Sequence, residues 1–160
     1  MHTSSRRSGG FVGYVSLLVA ALILLSVQAG PATAQFARLH SFCIANICGD
    51  GQSPNAPLAM DSKGNFYGTS SGGAHGEGTV FELSPDPGKS NPWLYRVLYN
   101  FCAGYTCVDG GNPNSPLVVD TAGNLYGTTQ NNGNSIAGFG TAFELSPPAA
   151  GKKEWSYRVL

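Results

Sequence analysis

The chain repeats itself, and that property limits its fold more than any other. Leu39–Gly68 aligns without a gap to Leu98–Gly127, an offset of 59, and half of the thirty positions are identical. The shared pairs include Phe42/Phe101, Cys43/Cys102, Cys48/Cys107, Asp50/Asp109, Gly51/Gly110, Pro54/Pro113 and Leu58/Leu117. They continue through Asp61/Asp120, Gly64/Gly123, Asn65/Asn124, Tyr67/Tyr126 and Gly68/Gly127. Three extra residues then enter the second copy between Thr129 and Gly140, after which Phe81–Pro85 matches Phe143–Pro147 and Trp93 matches Trp155. A unit this short exposes apolar surface on both faces and buries it only by stacking against like units.

Each copy divides into four strands separated by turn chemistry. In the first copy, Pro57–Asp61 is a short apolar strand and Asn65–Thr69 its return. The turn between them has Asp61 at its first position and Gly64 at its last, as a type I turn prefers. Ser70–Gly78 is a glycine-rich loop, Thr79–Ser84 a third strand that Pro85 ends, and Trp93–Phe101 a fourth, rich in aromatic and β-branched residues. No helical periodicity is visible beyond Ala34. The expected fold is therefore all-β: antiparallel four-stranded repeats, two blades of a β-propeller-like array, preceded by a signal-peptide helix. Known propellers typically need four to eight blades, so further repeats or self-association are needed to complete the fold. Tyr157–Leu160 resembles Tyr95–Leu98, which suggests that the chain is truncated before further repeats.

The N-terminus reads as an export signal. Arg6 and Arg7 precede an almost wholly apolar run from Val15 to Val27, then Pro31 and the small-x-small pattern Ala32-Thr33-Ala34. The expected cut lies between Ala34 and Gln35. The run is shorter than the roughly 20 residues of a membrane span, and no cysteine sits near the cut to suggest a lipoprotein. The domains are then 1–34, signal peptide; 35–98, first repeat; and 99–160, second repeat. The expected location is secreted or at the cell surface, with no membrane span after cleavage. The exported part has seven Lys plus Arg against nine Asp plus Glu and no basic stripe, which argues against nucleic acid as a partner.

Three segments carry a resemblance. Gly64-Asn65-Phe66-Tyr67-Gly68-Thr69, Gly72-Gly73 and Gly78–Leu83 resemble the repeat of the GloVer-type "choice-of-anchor" proteins, exported bacterial proteins with many such repeats and assorted C-terminal surface anchors. The Asp-x-x-Gly-Asn-x-Tyr core is also similar to NHL-type propeller blades. The resemblance implies export and a propeller, and it implies no activity. The cysteine-bearing segment is not general to that repeat. The second copy also departs from it, with Asn131-Asn132 for Gly-Gly and Ala142 for Val80, and it shows no C-terminal anchor.

The candidate residues come in pairs. Each copy has a Cys-x4-Cys, and in an exported chain an even cysteine count argues for disulfides. Repetition favours Cys43 with Cys48 and Cys102 with Cys107, each closing a small loop that stabilises by about 2 kcal/mol in the loop-entropy account. The rival is a four-cysteine zinc site, against which the two pairs lie on separate blades. Asp61-Ser62-Lys63-Gly64-Asn65 offers too few oxygen donors for calcium, so Asp61, Gly64, Asn65, Asp120, Gly123 and Asn124 read as repeat-turn residues. A glycosidase needs two carboxylates that converge on one bond, whereas Glu82 and Glu144 lie one per repeat and read as a repeated strand position. His40 and His75 lack second-copy counterparts, and no Gly-x-Ser-x-Gly elbow accompanies them. Tyr67, Trp93, Tyr126 and Trp155 are the aromatics that either bind a sugar face or pack between blades. No catalytic, cofactor-binding or metal set stands out, and no cofactor is implied.

The function these features favour is an exported, non-catalytic β-repeat scaffold, a binding or cell-surface module that presents its glycine-rich loops, Ser70–Gly78 and Gln130–Gly140, to an unknown protein or glycan. The alternatives are part of a propeller enzyme acting on extracellular polysaccharide, and a truncated non-functional fragment.

Overall fold

A computed structural model describes residues 36–44, 48–104, 106–131 and 139–160. The leader, with its cut at Ala34 and Gln35, lies outside the described residues, as does most of the Gln130–Gly140 loop.

The described chain is all-β, with no helix, in two antiparallel sheets. The first sheet holds β1 (Ala59–Met60), β2 (Phe66–Ser70), β3 (Thr79–Pro85) and β4 (Trp93–Asn100), in that order. The second holds β5 (Gly111–Pro113), β6 (Val118–Val119), β7 (Leu125–Asn131), β8 (Ala142–Ser146) and β9 (Ser156–Val159), with β5 and β6 both pairing β7. Equivalent strands keep equivalent registers. Tyr67 faces Glu82 across β2 and β3, and Tyr126 faces Glu144 across β7 and β8.

Two details depart from the four-strand reading. β5 is a fifth strand, at a Gly-Asn-Pro stretch without a β-forming residue; in the first repeat the corresponding region makes a single bridge, Gln52 to Ser71. Pro85 does not stop β3 but is its last residue, opposite Trp93. A proline is tolerated at a strand end, where its missing N–H leaves no ladder bond unmade.

The core lies between the sheets. Tyr67 and Val80 of the first sheet meet Phe101, Leu117, Leu125, Phe143 and Leu145. A register shift between Val80 and Phe81 makes this possible. Before it, Tyr95 and Val97 stand opposite Leu83 and Phe81; after it, Tyr99 stands opposite Val80. Because strand side chains alternate faces, one extra residue sends the rest of the strand to the other side. Tyr99 thus turns away from its own sheet's outer face and stacks on Tyr157 of the second sheet, ring centroids 4.5 Å apart. Phe101 follows and packs edge-on against Phe143, while its N–H donates to the Gly78 carbonyl of the first repeat. The end of one repeat is thereby the lining of the next.

Candidate functional site

The repeated Asp-x-x-Gly-Asn-x-Tyr motif is a closed hydrogen-bond system. Asp61 Oδ1 accepts from the N–H groups of Lys63 (2.8 Å) and Asn65 (2.9 Å). Its Oδ2 accepts from Asn65 Nδ2 (2.9 Å) and the Tyr67 hydroxyl (3.1 Å). Asp120 receives the same four donors from Ala122, Asn124 and Tyr126. Gly64 and Gly123 donate back to the Asp61 and Asp120 carbonyls and close the turns. A cleft of about 320 Å³ lies between the two turns, but its carboxylates are already taken by these donors.

This arrangement sets the carboxyl groups' acidity. Burial works to raise Asp61, but the hydrogen bonds from Asn65, Lys63 and Tyr67 outweigh it and hold the group below its ordinary value. Asp120 is held low first by the Asn124 side chain. A carboxylate whose folded value is depressed stabilises fully above its unfolded value, about 3.9, and loses that contribution as pH falls from there through the lower folded value. The melting temperature is therefore expected to drop as pH falls below about 4. The double variant Asp61→Asn with Asp120→Asn should melt lower at neutral pH and show a flatter acid limb. An unchanged acid limb in differential scanning calorimetry would show that other groups carry the acid sensitivity.

The second repeated system holds the cysteine loops. Cys43 is disulfide-paired with Cys48, and Cys102 with Cys107. Asp50 accepts the Cys43 N–H (3.1 Å) and contacts His40 Nε2 (3.2 Å). Asp109 accepts the Cys102 N–H (2.9 Å) and the Tyr99 hydroxyl (2.8 Å). The next carbonyls, of Asp50 and Asp109, accept the hydroxyls of Tyr95 and Tyr157. His40 stacks flat on Tyr95 as Tyr99 does on Tyr157. His40 and Tyr99 are therefore counterparts: both present a flat ring with a polar edge aimed at the same aspartate. The sequence alignment already places Tyr99 where the first copy has His40, three residues before the first cysteine, but the change of residue type hides the shared role. His75 lies apart, exposed at the tip of the glycine-rich loop. Among the described residues no group of His, Cys, Asp and Glu is arranged to hold a metal.

Glu82 and Glu144 occupy the same register but differ in surroundings. Glu144 is ion-paired with Arg158, which holds its carboxyl below the ordinary value. Glu82 is pushed up by burial, against the pull of Arg96. Burial, then the nearby Glu82 carboxylate, also pushes the Tyr67 hydroxyl well above its usual range, so it remains a donor.

The four candidate aromatics separate. Trp93 packs on Phe66 at 5.4 Å within the first sheet. Tyr126 donates to its turn aspartate, as Tyr67 does. Tyr67 is 5 % exposed, and its ring meets Trp155 across the inter-repeat boundary at 6.4 Å. Trp155 remains half-buried and lines an open groove of about 710 Å³ with Glu82, Arg96, Asn100, Lys153 and Glu154. The groove brings together Glu82 and Arg96 with Lys153, Glu154 and Trp155, and Tyr99, whose hydroxyl donates to Asp109, also lines it.

A family model described as the Gloeobacter/Verrucomicrobia repeat matches residues 26–157. The chain belongs to that family. No curated protein and no solved structure matches it. The two closed systems around Asp61 and Asp50, each built twice, account in physical terms for the recurrence of both aspartates, of Asn65/Asn124 and of Tyr67/Tyr126 in this Gloeobacter/Verrucomicrobia repeat. The groove around Trp155 is the part of it that the repetition does not explain.

Proposed function

We propose that this Gloeobacter/Verrucomicrobia repeat chain is an exported, non-catalytic scaffold of propeller-like construction that binds a glycan in the groove between its repeats. The observation that carries the reading is the groove itself. One half-buried indole is flanked by Glu82, Arg96, Asn100, Lys153 and Glu154, the combination of an apolar ring face and planar polar partners that a sugar presents surfaces for. The duplicated aspartates, by contrast, have their oxygens engaged within the fold. Export is supported by the leader pattern in residues 1–34 and by one disulfide per repeat, a bond kept in oxidising compartments. The likeness to the choice-of-anchor proteins supports a cell-surface or secreted setting. The glycine-rich loop Ser70–Gly78 frames the assembly, although much of it is pinned: Gly73 donates to Cys48, Gly78 to Gly72, and only the segment Ala74–Gly76 stands fully exposed.

The test is a screen of the exported chain against plant and bacterial glycans, followed by titration calorimetry of the best ligand. Trp155→Ala is expected to weaken binding by roughly tenfold or more, the stacking of one aromatic being worth about 1.5 kcal/mol. In the unassembled chain, Trp93→Ala, at the equivalent position outside the groove, should leave affinity unchanged. Equal losses from both variants would sink the groove assignment. Turnover of the bound glycan would favour the enzyme reading, with Glu82 as its acid.

A further inference from the structure

The structure contains one repeat-on-repeat interface and, on its outer sides, both halves of a second. In the interface already made, the second repeat supplies the receiving face. Leu117 is 5 % exposed there, and Phe101, Phe143 and Leu145 are fully buried. The first repeat supplies the covering face, with Tyr67 and Val80 buried and Ala59 packed against the same core. The receiving face of the first repeat has the same composition; Phe81 and Leu83 are already covered within the repeat, but its rim is open. Leu58, the counterpart of Leu117, is 46 % exposed. It lines an apolar groove of about 270 Å³ with Phe42, Pro54, Phe81 and Leu83. The covering face of the second repeat is likewise unused. Val118, the counterpart of Ala59, is 65 % exposed, and Thr128 and Ala142, the counterparts of Thr69 and Val80, are exposed where those two are buried.

Backbone geometry marks the same two surfaces. At the interface already made, Asn112 holds a left-handed φ of 52° and donates its N–H to the Glu77 carbonyl at 2.6 Å. Ser53, at the position of Asn112 in the first repeat, holds the same conformation, φ 46°. Such a φ is uncommon outside glycine and is kept where the surrounding structure requires it. At the position of Glu77 in the second repeat stands Phe139, 92 % exposed. A large apolar residue thus projects from the covering face that the receiving face of another chain would meet.

We infer that the open face of the first repeat receives the outer face of the second repeat of another copy of this chain, head to tail. The occupant is a second copy because its outer face repeats, position by position, the surface that already covers Leu117 and Phe101. The contact is heterologous, so it closes into a ring when the rotation allows. The inference rests on the propeller-like stacking proposed above but not on the glycan groove, and glycan binding is read separately in each variant.

The experiment is sedimentation analysis of the exported chain, of Leu58→Glu on the receiving face and of Val118→Glu on the covering face, alone and mixed. The wild type is expected to sediment at no less than twice the chain mass, and each variant at the mass of one chain. Val118 is exposed, so its variant folds even if Leu58→Glu does not. Mixing the two variants leaves one intact pair of faces, so a two-chain species should form and go no further. A monomeric wild type at its solubility limit overturns the inference. So does an oligomer that both variants leave intact, which would place the contact elsewhere. Separately folded variants that do not pair on mixing also overturn it, since a self-complementary interface behaves that way. Loss of glycan binding with assembly intact counts against the groove alone.

Discussion

Phe101→Ala is expected to destabilise the chain by about 3–5 kcal/mol, and Phe42→Ala by roughly half as much. The two rings occupy the same position in successive repeats and make the same local contact. Phe42 meets Phe81 edge-on at 5.2 Å and 66°, and Phe101 meets Phe143 at 5.4 Å and 67°. They differ in what lies on the far side. Phe101 meets Tyr99 and Tyr157 as Phe42 meets His40 and Tyr95, but Phe101 is fully buried beneath the first sheet. Phe42 is only half-buried, beside the open apolar groove. Truncating a ring that the structure encloses removes its transfer free energy and leaves a cavity, whereas a half-open site loses less and collapses more easily. Since a domain of this size is stable by about 5–15 kcal/mol in all, Phe101→Ala should bring it near the edge of unfolding. Urea denaturation measures both values. Equal losses in dilute solution would mean that Phe42 is as enclosed as Phe101 in the monomer. Losses that converge as protein concentration rises are what head-to-tail assembly requires.

How much of the fold is legible in the sequence depends on the length over which each cause acts. The repeat, the strand positions and the turn at Asp61 are local, and turn chemistry with period-two alternation reveals them. Even there the first strand shortens from Pro57–Asp61 to Ala59–Met60, because an alternating pattern does not say how many residues find a partner. The register shift at Val80 is not local. It is visible only as a pairing, and it decides that Tyr99 and Phe101 belong to the next repeat's core. Asp50 and Asp109 are legible as repeated residues but not as the acceptors that hold the cysteine loops, since their donors lie seven and ten residues away. The groove is half legible. Trp155 stands out by type, but Glu82, Arg96 and Asn100 come from the other sheet, and Lys153 and Glu154 have no matching residues in the first repeat to draw notice. Duplication points to what the fold needs twice, and it is silent about a surface formed once, where two copies meet.

Gly110→Ala should cost about 3 kcal/mol or more. Two penalties combine there. Gly110 has φ 94°, a conformation that side chains rarely adopt. A Cβ at that position would also sit 2.5 Å from Thr129 Oγ1 and 2.8 Å from Thr141 Oγ1. Those hydroxyls bond each other at 2.9 Å, and the Thr141 N–H donates to Thr129 Oγ1 at 2.8 Å, so neither threonine moves without breaking the tie between β7 and the approach to β8. The glycine's own N–H meanwhile donates to the Cys107 carbonyl at 2.9 Å, and a shift to relieve the clash would pull the disulfide loop. Gly51 sits with φ 92° over the equivalent Ser70–Thr79 hydroxyl pair, which is bonded at 2.7 Å. Gly88 supplies the control: its φ is 101°, yet a Cβ there meets nothing within 4 Å. Gly88→Ala should therefore show the backbone penalty alone, about 1–2 kcal/mol. If Gly110→Ala and Gly88→Ala cost the same in urea denaturation, the hydroxyl pair yields without loss and the glycine is there for its dihedral angle only. If Gly110→Ala costs clearly more, the Asp-Gly pair of each repeat is explained as a unit: the aspartate holds the cysteine loop, and the glycine lets that loop lie against the sheet.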